Sequence, residues 1–323
     1  HIYIDKEKNQ MHIYILVHKG AGSSRGTKVL AKLLDVCSKK NIVASVFVTE
    51  YKGHAISLIQ EIDRQIENDP EKRLVVIGGD GTLHEAINGL QSISSQTPIA
   101  YLSAGTGNDF NRAVKIQTEP EPFLDSLINS KESGQLEIIK YTSLKDGSIN
   151  YAVNSLGFGF DSLIVHLSST KSSKALLNKI GLSKLSYLHH VVEAFKLHSK
   201  FSMTVIENGK AHNFDKIILA SVTNHPYLGS GIKLDPLSSQ NNHEIGLVIA
   251  HHINLPVFLR LLTKLIKNAS HLECTDNVKR LGSDKFEIIL RDPQYMQVDG
   301  EDKEKDCYHI ECELTRQAFW FTY

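Results

Sequence analysis

The residues predict an α/β N-terminal doubly wound nucleotide-binding domain plus a mainly antiparallel β-sandwich second domain. Three observations carry this. A unit of strand, glycine-bearing loop and helix occurs three times before Gly134. The strands of those units are continuous apolar runs, as expected where helices cover both faces of a parallel sheet. Beyond Gly134 the helical crossovers give way to short β-like runs joined by polar turns.

In chain order, Ile13 to Val17 reads as the first strand, His18 to Gly26 as a Gly/Ser-rich loop and Thr27 to Lys39 as its helix. Ile42 to Val48 supplies another strand, and Ala55 to Glu67 the helix that returns to the apolar run Leu74 to Ile77. Gly78-Gly79-Asp80-Gly81-Thr82 follows directly, ahead of the helix-like Leu83 to Leu90. The pattern then repeats, with Pro98 to Leu102 as strand, Ser103 to Asp109 as loop and Phe110 to Val114 as helical start. Such alternation implies parallel strands with right-handed crossovers. In the second part, Leu136 to Tyr141, Ile149 to Ser155, Phe201 to Glu207, Lys216 to Val222, Gly246 to Ala250, Lys285 to Leu290 and Cys307 to Glu313 read as strands. Turns such as Lys145-Asp146-Gly147-Ser148 make them antiparallel. Two helices, Lys174 to His198 and Leu255 to Ala269, interrupt the sandwich. The domains are therefore drawn at 11–134 and 135–314, with His1 to Gln10 left out of the fold reading.

The loop Gly78 to Thr82 has the chemistry of a phosphate cradle. Glycines let the backbone approach a charged oxygen closely, and the helix that follows offers free N–H groups and the positive end of its dipole. Asp80 would repel phosphate, so its presence points to a divalent cation between the two. Gly-Gly-Asp-Gly is also the composition of a tight strand-to-helix turn. The second loop, Ser103 to Asp109, favours the ligand reading, because adjacent parallel strands place their C-terminal loops side by side where open α/β folds bind ligands.

The stretch Gly78 to Leu90, reading G-G-D-G-T-L-H-E-A-I-N-G-L, resembles the nucleotide loop of the diacylglycerol kinase catalytic domain, a family that includes sphingosine and ceramide kinases. Ser103 to Arg112 resembles that family's second loop, and Gly157-Phe158-Gly159-Phe160-Asp161 its third. Gly229-Ser230-Gly231, Asp235-Pro236 and Val298-Asp299-Gly300-Glu301 fall in the same order, so the likeness runs from about Met11 onward. It is strongest to bacterial diacylglycerol kinases and related lipid kinases. The resemblance implies an ATP-dependent kinase that moves the γ-phosphoryl group to the hydroxyl of diacylglycerol or a related lipid, giving phosphatidic acid. It implies ATP held by Gly78, Gly79, Asp80, Gly81, Thr82, Gly105, Thr106 and Asn108. It implies Mg²⁺ on a network of Asp80, Asp109 and Asp161, partly through water, and a last strand, near 315–323, that completes the first domain.

Phosphoryl transfer to a hydroxyl needs a held nucleotide, a cation spreading the developing charge, and a base or positioning group. In the resembling kinases the Asp of D-G-E accepts the lipid hydroxyl's proton and the Glu supports it, which assigns Asp299 and Glu301. Asp-Gly is also a common hairpin turn, and Asp109 stands where an Asp starts a helix. This chain departs from the family in two places. His18-Lys19 stands for Asn-Pro in the first loop, so Lys19 is either a phosphate contact or a solvated side chain. Between Pro236 and Gly246 the usual Asp-Gly, part of an acidic site for a structural cation, is absent, with Glu244 as a partial substitute beside Asp235.

Lys plus Arg and Asp plus Glu are equal at 36 each, so no global field favours nucleic acid. The opening residues lack a signal-peptide core and no apolar run spans a bilayer. Cys37, Cys274, Cys307 and Cys312 show no C-x-x-C pairing, which fits a reduced, cytoplasmic setting. The pairs His189-His190 and His251-His252, if helical, point about 100° apart and do not converge on a metal. Lys171 to Lys200 holds six Lys against Glu193, with apolar residues between. It reads either as a helix with a lysine-rich outer face or as a transient peripheral contact with the membrane presenting the lipid alcohol. Arg260, Lys264 and Lys267 carry the same two readings. Oligomeric state is unreadable and a homodimer stays open. The rival functions are a NAD kinase, which shares G-G-D-G-T but whose Ala-Gly-Gly-type loop is missing here, and a nucleotide-binding relative that has lost catalysis.

Overall fold

The structure, a computed structural model, describes residues 11–67, 69–160, 195–196, 198–229, 231–240 and 242–323. Asp161 and most of the expected helix Lys174 to His198, including the basic stretch from Lys171, lie outside the described residues. The chain forms two compact units, one of residues up to Glu137 together with Arg316–Tyr323, the other of Ile138–Thr315.

The first unit is a parallel α/β sheet. Its elements are β1 (His12–Val17), α1 (Ala21–Lys39), β2 (Val43–Val48), α2 (His54–Ile66), β3 (Lys72–Gly78), α3 (Asp80–Ser92), β4 (Ile99–Ser103), α4 (Asp109–Val114) and α5 (Pro120–Asn129). The strands run in the order β2-β1-β3-β4, all parallel. Near the chain end Phe319 pairs in parallel with Ile99. Ile13, Ile15 and Val17 pack with Leu30 and Leu33 of α1 and with Phe123 and Leu127 of α5. On α3, Gly89 lets α2 approach closely, since a Cβ there would lie 2.3 Å from Ile59 Cγ2. Helices on both faces bury β3 from Arg73 to Gly78 without a break, the physical origin of its continuous apolar run.

The helix α5 is absent from the sequence reading, and the largest boundary difference in this unit is at α1. The helix expected from Thr27 begins at Ala21, with Gly22 at φ 56° and Ser24 at φ 76° inside its first turns. The glycines of this segment serve close backbone approach: a Cβ would lie 2.3 Å from the Ala104 carbonyl at Gly22 and 2.4 Å from the His18 carbonyl at Gly26.

The second unit is antiparallel. It includes β6 (Ile149–Ala152), β7 (Ser155–Gly159), β8 (Phe201–Glu207), β9 (Lys210–Thr223), β10 (Tyr227–Leu228), β11 (Ile232–Lys233), β12 (Ile245–His251), α6 (Leu255–Asn268), β13 (Val278–Ser283), β14 (Lys285–Leu290), β15 (Gln294–Val298) and β16 (Glu301–Asp306). The strands β5 (Gly134–Ser143) and β17 (His309–Phe319) each contain a unit boundary. Neighbours run β16-β15-β7-β9-β8-β14-β17, and β12 pairs with both β9 and β13. Phe158, Phe201, Val222, Leu247, Phe286 and Val298 lie in one core cluster.

The sequence reading lacks β10, β11, β13, β15 and β16, draws Ile149 to Ser155 as one strand where β6 and β7 are two, and divides the single strand β17 into two. In β16 all six residues are charged and the last four are exposed, as suits an edge strand blunted against pairing with another chain. β15 buries Gln294 and Gln297, so alternation of apolar and polar residues is absent. His251 and His252 end a strand; their rings meet edge to face at 5.1 Å.

Burial pushes His225 and His198 down to a pKa of about 4, against an ordinary 6.5. The unfolded chain therefore binds these protons more tightly between pH 6.5 and 4, and stability falls as pH falls through that window. Thermal unfolding in buffers stepped across it is expected to show loss of on the order of 3 kcal/mol for each such histidine, with a flatter profile in His225→Asn.

Candidate active site

Because β1, β3 and β4 are parallel, their C-terminal loops share one sheet edge. The backbones there touch directly. The Ala104 N–H donates to the Gly78 carbonyl at 2.7 Å and the His18 N–H to that of Ile77 at 3.0 Å. A Cβ on Gly105 would stand 2.7 Å from Gly79 Cα, and one on Gly78 would stand 2.4 Å from Thr82 Oγ1. Buried Tyr101 donates its hydroxyl to the Gly78 carbonyl at 3.0 Å. Burial, then the nearby Asp80 charge, raises the phenol's pKa well above its ordinary value, so it remains a neutral donor. The helix α3 begins at Gly79 with no side-chain cap, leaving its first turn open to an anion.

The acidic residues of the two loops are coupled. Asp80 Oδ2 accepts the Asp109 N–H at 2.9 Å, and Asp109 Oδ1 pairs with Arg112 Nη1 at 3.0 Å. Arg112 also donates to the Gly107 carbonyl. Asn108 turns the loop at φ 52°. Ser103 Oγ and Asn108 Oδ1 are buried without a hydrogen-bond partner among the described residues. Glycine contacts that exclude side chains, an open helix end and orphaned polar atoms fit a phosphate-bearing ligand. Gly81 and Thr82 stand in the first turn of α3, and Thr106 in the loop before α4. Lys19 is exposed in the first loop, whose carbonyl at that residue accepts the Thr27 hydroxyl at 3.3 Å. Among the described residues no three His, Cys, Asp or Glu side chains gather closely enough to hold a metal ion.

Asp299 lies in the second unit, in the two-residue turn between β15 and β16, where Val298 pairs with Glu301. Asp299 at φ 50° and Gly300 at φ 83° have the positive angles of a type I′ hairpin. The turn also carries a built site. The Asp299 carboxylate accepts the backbone N–H groups of Val153 at 2.7 Å, Asn154 at 2.7 Å and Ser155 at 3.1 Å. Its own N–H donates to the Ser155 carbonyl at 2.9 Å, and Gln297 Oε1 accepts the Gly300 N–H at 2.8 Å. Glu301 is half-buried beside it, at the start of β16. The charge of Asp299 acts on two buried neighbours the sequence reading missed. It works against the burial that lowers the His225 pKa, and it adds to the burial that raises that of Tyr141. Asn224-His225-Pro226, set just past β9, was the available signal.

Thus Asp80, Asp109 and the glycines gather in the first unit, and Asp299 and Glu301 in the second. Residues 12–140 match the family described as "Diacylglycerol kinase catalytic domain", and residues 158–313 the "YegS C-terminal NAD kinase beta sandwich-like domain". Together the two matches cover most of the chain, and its first part is similar to the diacylglycerol kinase catalytic domain. It is 27% identical over 246 residues to "Putative lipid kinase YtlR" of Bacillus subtilis, covering 75% of this chain and 78% of that one. It is 25% identical to "Putative lipid kinase SAR0780" of Staphylococcus aureus, covering 91% and 92%. In fold it is similar to a Bacillus anthracis protein described as "a putative diacylglycerol kinase", with a TM-score of 0.70, 18% identity and 98% of each chain covered.

Where the family resemblance implied an acidic loop on a structural cation, this chain has a guanidinium between its carboxylates. Arg280 Nε lies 3.3 Å from Asp235 Oδ2 and Nη1 lies 2.7 Å from Glu244 Oε1. Fully buried Asp235 also accepts the Thr223 hydroxyl at 2.8 Å and the Leu237 N–H at 3.2 Å. A Cβ on Gly246 would lie 2.0 Å from Asp235 Oδ2, and one on Gly282 would lie 2.3 Å from Arg280 Nη1.

Two outcomes follow from this geometry. Arg280→Met leaves a buried carboxylate without its counter-charge and is expected to cost about 3–5 kcal/mol, read as a lower urea midpoint. Gly105→Ala forces backbone apart from backbone at a cost of about 1–3 kcal/mol, roughly ten- to hundredfold in ATP affinity by calorimetric titration, with the second unit's core intact.

Proposed function

We propose that this protein is an ATP-dependent lipid kinase that phosphorylates the hydroxyl of diacylglycerol or a related lipid alcohol, giving phosphatidic acid or its analogue. One observation carries the lipid part. The second unit contains a cavity of about 160 Å³ walled by Phe160, Leu234, Val248, Phe258 and Leu261, with His271 as its ionisable side chain. His271 Nε2 lies 2.7 Å from the Leu234 carbonyl, and burial lowers the ring's pKa. Such walls suit an acyl chain and offer little to the charged ribose-phosphates of NAD.

In this reading, Gly78, Gly79, Gly81, Thr82, Gly105, Thr106 and Asn108 hold the nucleotide's phosphates against backbone N–H groups and the N-terminus of α3. Lys19 stands ready as a further phosphate contact. Asp80, Asp109 and Asp161 would hold Mg²⁺, which spreads the charge that develops on the transferring phosphoryl group. Asp299 takes the proton of the lipid hydroxyl as its oxygen bonds to the γ-phosphorus and the bond to the ADP oxygen breaks. Three backbone donors fix that carboxylate's direction, so the base is aimed before substrate arrives. Glu301 supports it. Peripheral contact with the membrane is part of the proposal: α6 exposes Ile266 and Leu259 beside Arg260 and Lys267, a face suited to an anionic lipid surface. Among the described residues no helix is long and apolar enough to cross a membrane.

The test is transfer of label from γ-labelled ATP with Mg²⁺ to diacylglycerol, sphingosine, phosphatidylglycerol and NAD in parallel. Label is expected in a lipid product, and phosphorylated NAD as the sole product overturns the assignment. Asp299→Asn is expected to lower turnover by at least about 10²-fold with nucleotide affinity unchanged.

A further inference from the structure

The first unit has a second hollow, at the sheet edge opposite the glycine loops, where β3 begins at Lys72 and β4 at Ile99. Its volume is about 480 Å³, within the usual range of small-molecule pockets. Ile66, Pro98 and Trp320 give it apolar walls, and Lys72, Arg73 and Lys131 give it three cations against Asp69 and Glu132.

Arg73 sets this hollow apart. Only 7% exposed, its guanidinium lies 4.4 Å over the Trp320 ring. Its Nη1 donates to the carbonyls of Pro70 and Lys72, and its Nε is buried with no hydrogen-bond partner. Among the described residues no carboxylate lies within ion-pair distance of it, although the charges of Glu71 and Asp69 partly offset its burial. Lys72, by contrast, is engaged, donating to the Gln65 carbonyl at 2.7 Å and lying 3.8 Å from Asp69 Oδ2. Buried charges are ordinarily paired, because leaving water uncompensated is costly. A guanidinium stacked on an indole is also held flat, with its fork ready for a planar or tetrahedral oxyanion.

We infer that this hollow is a second ligand site, separate from the glycine loops, for a small molecule bearing a phosphate or carboxylate group, with Arg73 as its anchor and Lys131 at its rim. The ligand's anion supplies the direct ion pair that Glu71 and Asp69, acting only at longer range, do not make with Arg73, and its remaining atoms rest on Trp320 and Pro98.

Trp320 is the chain's single tryptophan, so its emission reports on this hollow directly. The full chain is titrated with sodium phosphate, glycerol 3-phosphate and citrate, ionic strength being held constant with sodium chloride. A saturable change with at least one anion is expected. It is lost in Arg73→Met and at least about tenfold weaker in Arg73→Lys, which keeps the charge but not the fork. In Lys131→Gln, an exposed position that leaves packing untouched, binding is expected to weaken roughly two- to fivefold. The phosphate, glycerol 3-phosphate and citrate arms distinguish a bare phosphate, an organic phosphate and a carboxylate ligand. No saturable change with any of the three, or the same isotherm in Lys131→Gln as in the parent chain, overturns the proposal. So does a signal lost in Gly105→Ala but kept in Arg73→Met, which would assign the anion to the glycine loops.

Discussion

The candidate nucleotide site depends on backbone meeting backbone. Between Gly79 and Gly105 there is room for hydrogens and nothing more: a single added Cβ would lie 2.7 Å from the opposing Cα. The Ala104 N–H bond to Gly78 and the closeness of Gly22 to the Ala104 carbonyl extend the same contact to all three loops. A parallel sheet can supply this because its strands end together. Side chains would fill the space in which a phosphate oxygen must approach N–H groups, so the glycines are required for contact more than for flexibility.

Asp299 solves a different problem with the same economy. A catalytic carboxylate on a hairpin tip would sweep a wide arc if only its turn held it. Here the turn is locked by Gln297 and by the Asp299 N–H bond to Ser155, while the carboxylate takes three N–H groups from Val153–Ser155. The two readings of Asp-Gly, turn or base, are thus compatible: the residue has the positive φ of the turn while its side chain binds Val153–Ser155.

How much was legible follows from the same physics. β1, β3 and β4 could be read because burial on both faces demands unbroken apolar runs. The start of α1 could not, since glycines chosen for close approach to His18 and Ala104 look like loop glycines. β15 and β16 were hidden because one buries glutamines around the Asp299 turn and the other is a charged edge. Asp80, Asp109 and Asp299 stood out by motif. Of the two side chains that share the electrostatics of Asp299, His225 had only the Asn224-His225-Pro226 stretch as a signal and Tyr141 had none, because tertiary packing brings them near it.

Buried charge gives the last step. Asp299 is compensated by three backbone dipoles, and Asp235 by Arg280 with Thr223 and the Leu237 N–H. Asp235 is therefore a closed arrangement, complete within the chain, whereas the half-buried Asp299 is oriented by its donors for the role of base. Arg73 differs, with an aromatic face, carbonyls and carboxylates that act on it without an ion-pair contact. The carbonyl bonds and the indole face lower the cost of burying that cation, but neither carries the full negative charge that would neutralise it. The difference separates charges that hold the fold together from one that stays open to an incoming anion.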